Sequence, residues 1–234
     1  DKGTYGLLFS EGPQAAWDWI GFLWSLGGDA VTQDDDGTWR AAFKGDAAAR
    51  SLLYFIRLQT QRWRDSSGKW REGYTCKESA RIAGQMWAEG KIGMRLSYLL
   101  QDQIARDVDP TVVGIAPVPL GPTGQRGSEL NCTMVGMFAD IKGRDGFSAE
   151  EIRRAAWKWM WFRDCEEARK IRTRVFVEAG YGKMYNPVFL EKYGYQEYLD
   201  LVPKDWLPTF KEALANGKPE PYGKNCQLVY KYMT

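Results

Sequence analysis

The chain has 234 residues, long enough for a sizeable core in one large domain or two small ones. Its 32 Lys plus Arg against 30 Asp plus Glu leave a formal net charge of +2, which gives little long-range attraction to nucleic acid or to an anionic membrane. There is no His, which removes Ser-His-Asp and Cys-His catalysis, His-ligated metals and imidazole proton transfer.

No run of 18 apolar residues is present, so no transmembrane helix is expected. The chain opens at Asp1 with neither Met nor a signal-like segment, which reads as a processed or excised piece. Eleven Trp, 12 Tyr and 10 Phe are first of all core material, with the remainder available to stack on sugars or bases. Cys76, Cys132, Cys165 and Cys226 never form CxxC, so a zinc site or thioredoxin-type pair is not expected; two disulfides and four free thiols both fit.

In chain order, Tyr5–Phe9 reads as a strand and Pro13 opens a helix carrying Ala16, Ile20, Leu23 and Trp24, which Gly27-Gly28 stops. Asp34-Asp35-Asp36-Gly37 reads as the turn of a hairpin rather than a calcium loop, since no distal Glu follows. A long helix follows Gly45-Asp46, with Ala49, Leu52, Leu53, Ile56, Thr60 and Trp63 as its expected buried face. Asp65–Gly73 reads as a polar loop, and Thr75-Cys76-Lys77-Glu78 as a capping box heading the helix that ends at Gly90. Ile92–Leu96 is an apolar strand with Met94 in the core, and Ser97 and Tyr98 stand just past its carboxyl end. Thr111–Val118 is expected as a buried strand, Pro117 to Gly127 as a stiff loop, and Thr133–Ala139 as a further strand. Ser148-Ala149-Glu150-Glu151 is a second capping box, heading a helix whose wide apolar face, with Trp157, Trp159 and Trp161, is expected to be buried between layers. Helical segments at Glu166–Val177, Val188–Tyr193 and Pro203–Ala215 complete the pattern.

Four stretches in this order carry a family resemblance: Leu26-Gly27-Gly28 before the hairpin, Trp87-Ala88-Glu89-Gly90-Lys91-Ile92-Gly93-Met94, Gly114-Ile115-Ala116-Pro117-Val118-Pro119 with Gly121-Pro122, and Ala155-Ala156-Trp157-Lys158-Trp159. Together, over Gly6 to Pro187, the chain resembles the extracellular solute-binding proteins of carbohydrate ABC importers, the group containing maltose-binding protein. The resemblance implies an α/β, periplasmic-binding-protein-like (type II) lobe with a mixed central sheet flanked by helices. The lobe spans residues 1–187, and a helical extension over 188–234 packs on it. Because the matching segments belong mostly to the family's carboxyl-terminal lobe, the resemblance implies a piece of a two-lobed surface lipoprotein carrying half a cleft. It further implies an extracellular or periplasmic, cell-surface-attached monomer that holds a sugar and meets an ABC permease, with membrane contact only through a lipid anchor and no nucleic acid. Where the family often has Gly-x-Trp after the strand, this chain has Tyr98-Leu99-Leu100.

A sugar cleft needs an aromatic face for the C–H side of the ring and amides, hydroxyls or carboxylates for its hydroxyls. Three loops supply candidates: Ser10, Gln14, Trp17 and Asp18; Ser97, Tyr98 and Gln101; and Gln125 to Asn131, with Tyr181 on the rim. No catalytic residue, metal ligand or cofactor belongs to this reading. Two alternatives stand beside it: a two-carboxylate glycoside hydrolase using residues such as Asp18 and Glu129, and an interaction module docking through Trp157 and Trp161.

Overall fold

The computed structural model describes residues 3–10, 12, 14–98, 112–131, 135–182, 185–202, 204, 206–223 and 225–233. The chain is mixed α/β, with small sheets and helices in two compact units. The first comprises residues 1–100, 106–131 and 208–234; the second comprises 101–105 and 132–207.

The centre of the first unit is a three-stranded parallel sheet. Strand β1 (Tyr5–Ser10) lies in the middle, with β6 (Thr75–Glu78) on one side and β7 (Ile92–Arg95) on the other. Parallel neighbours need long crossovers. The first one runs through α1 (Gln14–Ser25), the hairpin of β2 (Val31–Gln33) and β3 (Trp39–Ala41), α2 (Asp46–Thr60), and a second hairpin of β4 (Arg62–Arg64) and β5 (Trp70–Glu72). Helix α3 (Ala80–Ala88) then leads into β7, with Gly90 at φ 68 making the left-handed turn between them. The first hairpin turns through Asp34–Gly37, where Gly37 has φ 83.

Helix α1 is the hub of this unit, and its sides meet different partners. Ala16, Ile20 and Trp24 recur every fourth residue and pack with Ala30, Val229 and Tyr230, the last two from helix α9 (Val229–Met233). Trp19 turns the other way and joins Phe9 and Phe55, whose rings lie 4.3 Å apart. The remaining side, at Gly21 and Ser25, meets the segment that leads into β8 (Ser128–Leu130), a three-residue strand pairing parallel with β9 (Gly217–Pro219).

Several expectations are corrected. Thr75–Glu78 is not a capping box: its backbone pairs with β1, Leu7 opposite Thr75 and Ser10 opposite Glu78, and α3 starts after Ser79 with no side-chain cap. Sheet pairing satisfies the backbone groups that a cap would have served. Helix α2 buries Ala48, Ser51 and Phe55, whereas Leu52, Leu53 and Ile56 are exposed. The turn is set by two specific needs: the Phe9 ring seats Phe55, and the Ser51 hydroxyl accepts the buried Trp19 indole N–H at 2.9 Å. Residues 65–73 are the turn and second strand of the β4–β5 hairpin, with Gly68 at φ 80 and the Asp65 carboxylate accepting from Ser67, Lys69 and Arg71. Met94 is 62% exposed rather than in the core.

Residues 113–119 form no strand; Pro117 and Pro119 have no N–H to give a ladder. Of the strand expected over Thr133–Ala139, residues 133–134 lie outside the described residues and 135–139 form none. The strand of this region, β8, sits earlier.

In the second unit, helix α4 (Ala149–Asp164) opens on the expected capping box: Ser148 Oγ accepts the Glu151 N–H, and the Glu151 carboxylate accepts the Ser148 N–H at 2.8 Å. It buries none of its residues within the chain, so the expected burial of its tryptophans is corrected: Trp157 and Trp161 are 60% and 65% exposed. Helix α5 (Glu166–Phe176) buries Ala168 and Thr173 and runs into a π-turn over Val177–Tyr181. Helix α6 (Pro187–Lys192) is capped by Asn186 with Pro187 in its first turn, and α7 (Gln196–Leu199) follows; α8 (Trp206–Ala215) lies mostly in the first unit, which resumes at residue 208. Lys192 pairs with Glu166 at 2.7 Å, tying the end of α6 to the start of α5.

Cys76, Cys165 and Cys226 are free thiols. Among the described residues no helix is long and apolar enough to cross a membrane, and no group of three acidic or Cys side chains is placed to hold a metal ion.

Candidate functional site

The geometry begins with a close backbone approach. A Cβ on Gly21 would stand 2.7 Å from the Gly127 carbonyl oxygen, and one on Gly127 would stand 1.6 Å from that of Gly21. Only two glycines allow this contact. Four residues further along α1, the Ser25 carbonyl accepts the Thr123 hydroxyl at 2.7 Å. Residues 121–127 are therefore held along one side of the helix, and β8 emerges next to Trp17, one turn before Gly21.

From β8, Glu129 and Asn131 project to the same side, two residues apart. Strand β9 pairs Lys218 opposite Glu129 and Pro219 opposite Leu130, which delivers Glu220 beside Asn131. The Asn131 amide and the Trp17 indole N–H both donate to the same oxygen of Glu220, the latter at 3.1 Å. Tyr98, three residues past β7, donates its hydroxyl to Glu129 at 3.2 Å. Tyr230 of α9 stacks on Trp17, with centroids 4.3 Å apart and planes 18° from parallel. Five chain segments thus bring an indole, two phenols, an amide and two carboxyls together within the first unit.

Burial raises the Glu129 carboxyl to about 8, helped by a hydrogen bond to the Glu220 carboxyl and by its negative charge. The acid form of Glu129 is thereby favoured well above the usual carboxylate range. Its buried Oε1 has no hydrogen-bond partner among the described residues. Burial likewise raises Tyr98 to about 12, with the Glu129 and Glu220 charges adding to it and the Asn131 hydrogen bond opposing it. Tyr230 is pushed up by burial and by the same two carboxyls. Among the described residues, Lys218 of β9 is bound to Asp29, which also accepts the Trp24 indole, and Arg126 pairs with Glu212 at 2.6 Å.

Of the residues expected at the site, Trp17, Tyr98 and Asn131 meet here. Gln14 is exposed in the first turn of α1, Asp18 is buried one residue beyond Trp17, and Ser97 is exposed beside Tyr98. Gln125 is an exposed loop residue whose carbonyl accepts the Gly121 N–H. Tyr181 belongs to the second unit, where its ring meets Phe176 edge-on at 6.4 Å. Gln101 and the Ser10 side chain lie outside the described residues.

Glu220 is the residue that sequence reasoning missed. Its only signal is its place between Pro219 and Pro221, which marks an extended segment but no chemistry. Of the two carboxylates named for the glycosidase alternative, Glu129 lies in this cluster, where Glu220 is the carboxyl that perturbs it. Two hollows lie elsewhere. One of about 270 Å³ is lined by Tyr5, Trp63 and Tyr74 at the amino ends of the strands, and one of about 180 Å³ by Val135, Trp157, Met160, Trp161 and Asp164. No protein-family model matches this chain, and no curated protein matches it significantly.

Proposed function

We propose that the chain is a non-catalytic carbohydrate-holding lobe of an extracellular solute-binding protein, of the type II periplasmic-binding-protein class, serving an ABC importer. The observation that carries this reading is the convergence of Trp17, Tyr98, Asn131, Glu129 and Glu220 from remote parts of the chain. That set matches what a sugar ring asks for: an aromatic face and a fan of oxygen and amide partners for its hydroxyls. Tyr98 is the available face, being 40% exposed while Tyr230 is buried. The ordered family-like segments named above support the same reading. Under it the protein works as a monomer at the cell surface, held by a lipid anchor outside this segment. A second lobe closes over the sugar, and the closed form is what the permease reads.

Saturation-transfer NMR with soluble mono- and oligosaccharides tests this, because it detects weak binding. Signal on the sugar protons is expected with the native chain and is expected to fall about tenfold in affinity, ~1.4 kcal/mol, in Tyr98→Ala. Transfer that is absent for every carbohydrate, or unchanged in Tyr98→Ala, contradicts the assignment.

One observation favours a second reading. A carboxyl raised to about 8 beside a second carboxyl has the acid form that a glycosidase proton donor needs. Turnover of a chromogenic glycoside that disappears in Glu129→Gln would establish this reading over the first.

A further inference from the structure

The hairpin of β4 and β5 has two unlike faces. On one, the Trp63 indole donates to the Gly73 carbonyl at 2.8 Å, and its ring stacks on Tyr74 with centroids 5.4 Å apart. On the other stand Arg62 and Arg64 of β4 with Trp70 and Glu72 of β5, all four exposed. The Arg62 and Arg64 guanidinium groups lie 5.1 and 4.8 Å from the Trp70 ring centroid. Arg62 thus leans over its diagonal neighbour instead of pairing with Glu72, which stands opposite it in the ladder. Among the described residues neither guanidinium forms an ion pair. Two like charges are therefore held side by side on one indole. Asp65, the acid of the turn, is committed to Ser67, Lys69 and Arg71.

The backbone of the same two arginines is open as well. The Gly73 N–H donates to the Gln61 carbonyl and the Asp65 N–H to the Lys69 carbonyl. Bonded pairs alternate along an antiparallel ladder, so in this register Trp63 bonds Arg71, and the N–H and C=O of Arg62 and Arg64 point away from β5. Among the described residues β4 and β5 form a sheet of two strands, and these groups line its β4 edge. That edge offers backbone partners at Arg62 and Arg64 and, on one face, their two side chains about 7 Å apart along the strand. We propose that the β4 edge is a docking surface for an extended acidic peptide, a segment of a partner protein that adds as a third strand. The match lies in the period: an extended chain sets every second side chain on one face. Carboxylates at alternate positions then fall beside Arg62 and Arg64, whose planar donors suit them. Trp70 and the pinned turn hold those donors in place beforehand, which lowers the cost of binding. Charged residues also guard edges against pairing, and the outcomes below separate the two roles. This surface shares no residue with the cluster around Trp17 and Glu220, and it does not rest on the sugar reading.

The test is a ¹H–¹⁵N NMR titration of the native chain with a capped Glu-Thr-Glu-Thr-Glu-Thr peptide. It follows the Arg62 and Arg64 backbone amides and the Trp70 indole, the last assigned through Trp70→Phe. All three signals are expected to shift together and to saturate. The double variant Arg62→Gln, Arg64→Gln is expected to bind the peptide about tenfold more weakly or worse. A Lys-Thr-Lys-Thr-Lys-Thr peptide, and the acidic peptide methylated on every backbone nitrogen, are expected to leave the signals in place. No shift with the acidic peptide overturns the proposal, as does equal affinity in the double variant. A methylated peptide that binds as tightly as the unmethylated one also overturns it, since no strand would then be added. The same shifts produced by oligogalacturonate or by phosphatidylglycerol vesicles, but not by the peptide, overturn it in favour of an anionic glycan or a membrane surface.

Discussion

Glu129 is the residue on which the chemistry of the first unit turns. Its carboxyl stands near 8 in the folded chain against an ordinary value of 4.5, so between those limits the folded state keeps a proton that the unfolded chain has released. Stability contributed by this group is fully present below about 4.5 and falls as pH rises toward about 8. Thermal melts across that range are expected to show a declining midpoint, and Glu129→Gln is expected to flatten the decline. A slope that is the same in the variant and the native chain would remove Glu129 as its source. Asp65 acts in the opposite sense. Hydrogen bonds from Ser67 and the Arg71 side chain hold its carboxylate far below its ordinary value, so its contribution is kept above the carboxylate range and lost only in strong acid.

At the scale of elements, two glycines set the distance between α1 and the approach to β8. Gly21→Ala would place a Cβ against the Gly127 carbonyl. The expected cost is ~1–3 kcal/mol of overpacking, which outweighs the gain of up to ~1 kcal/mol that Ala brings to a helix interior. Gly84→Ala is the matched control, since nothing lies within 4 Å of that Cβ in α3; it should stabilise by up to ~1 kcal/mol. Chemical denaturation of the two variants checks both signs, and a stabilised Gly21→Ala would mean that α1 and residue 127 are not in contact. Ser148→Ala, which removes one half of the α4 capping box, should cost ~1 kcal/mol by the same measurement.

These elements also show what could be read in advance. Local signals were legible: the α1 stripe at Ala16, Ile20 and Trp24, the Asp-Gly hairpin, the Ser148 cap and the Gly90 stop each depend on residues within a few positions. Long-range demands were not. Thr75–Glu78 carries a helix-start pattern, yet a parallel partner 65 or more residues away claims its backbone. The face of α2 was read from hydrophobicity alone, while the structure turns it to give the Trp19 indole an acceptor at Ser51. The site divides the same way. Trp17, Tyr98 and Asn131 stand at recognisable ends of elements, whereas Glu220 reaches them only through the pairing of β8 with β9, to which no local pattern points.

At the scale of the whole molecule, the proposed carbohydrate site is the one cluster in the first unit. The exposed tryptophans of α4 offer the competing surface, with Trp157 and Trp161 one turn apart beside Asp164. Both surfaces carry indole groups, so a single experiment separates them. The most direct measurement is a ¹H–¹⁵N NMR titration of the native chain with a panel of oligosaccharides, following the Trp17 indole and the Asn131 side-chain amide together with the Trp157 and Trp161 indoles. Trp17 and Asn131 are expected to shift together and saturate with at least one sugar while Trp157 and Trp161 stay in place. Shifts confined to Trp157 and Trp161, or no shift with any sugar up to its solubility limit, would contradict it.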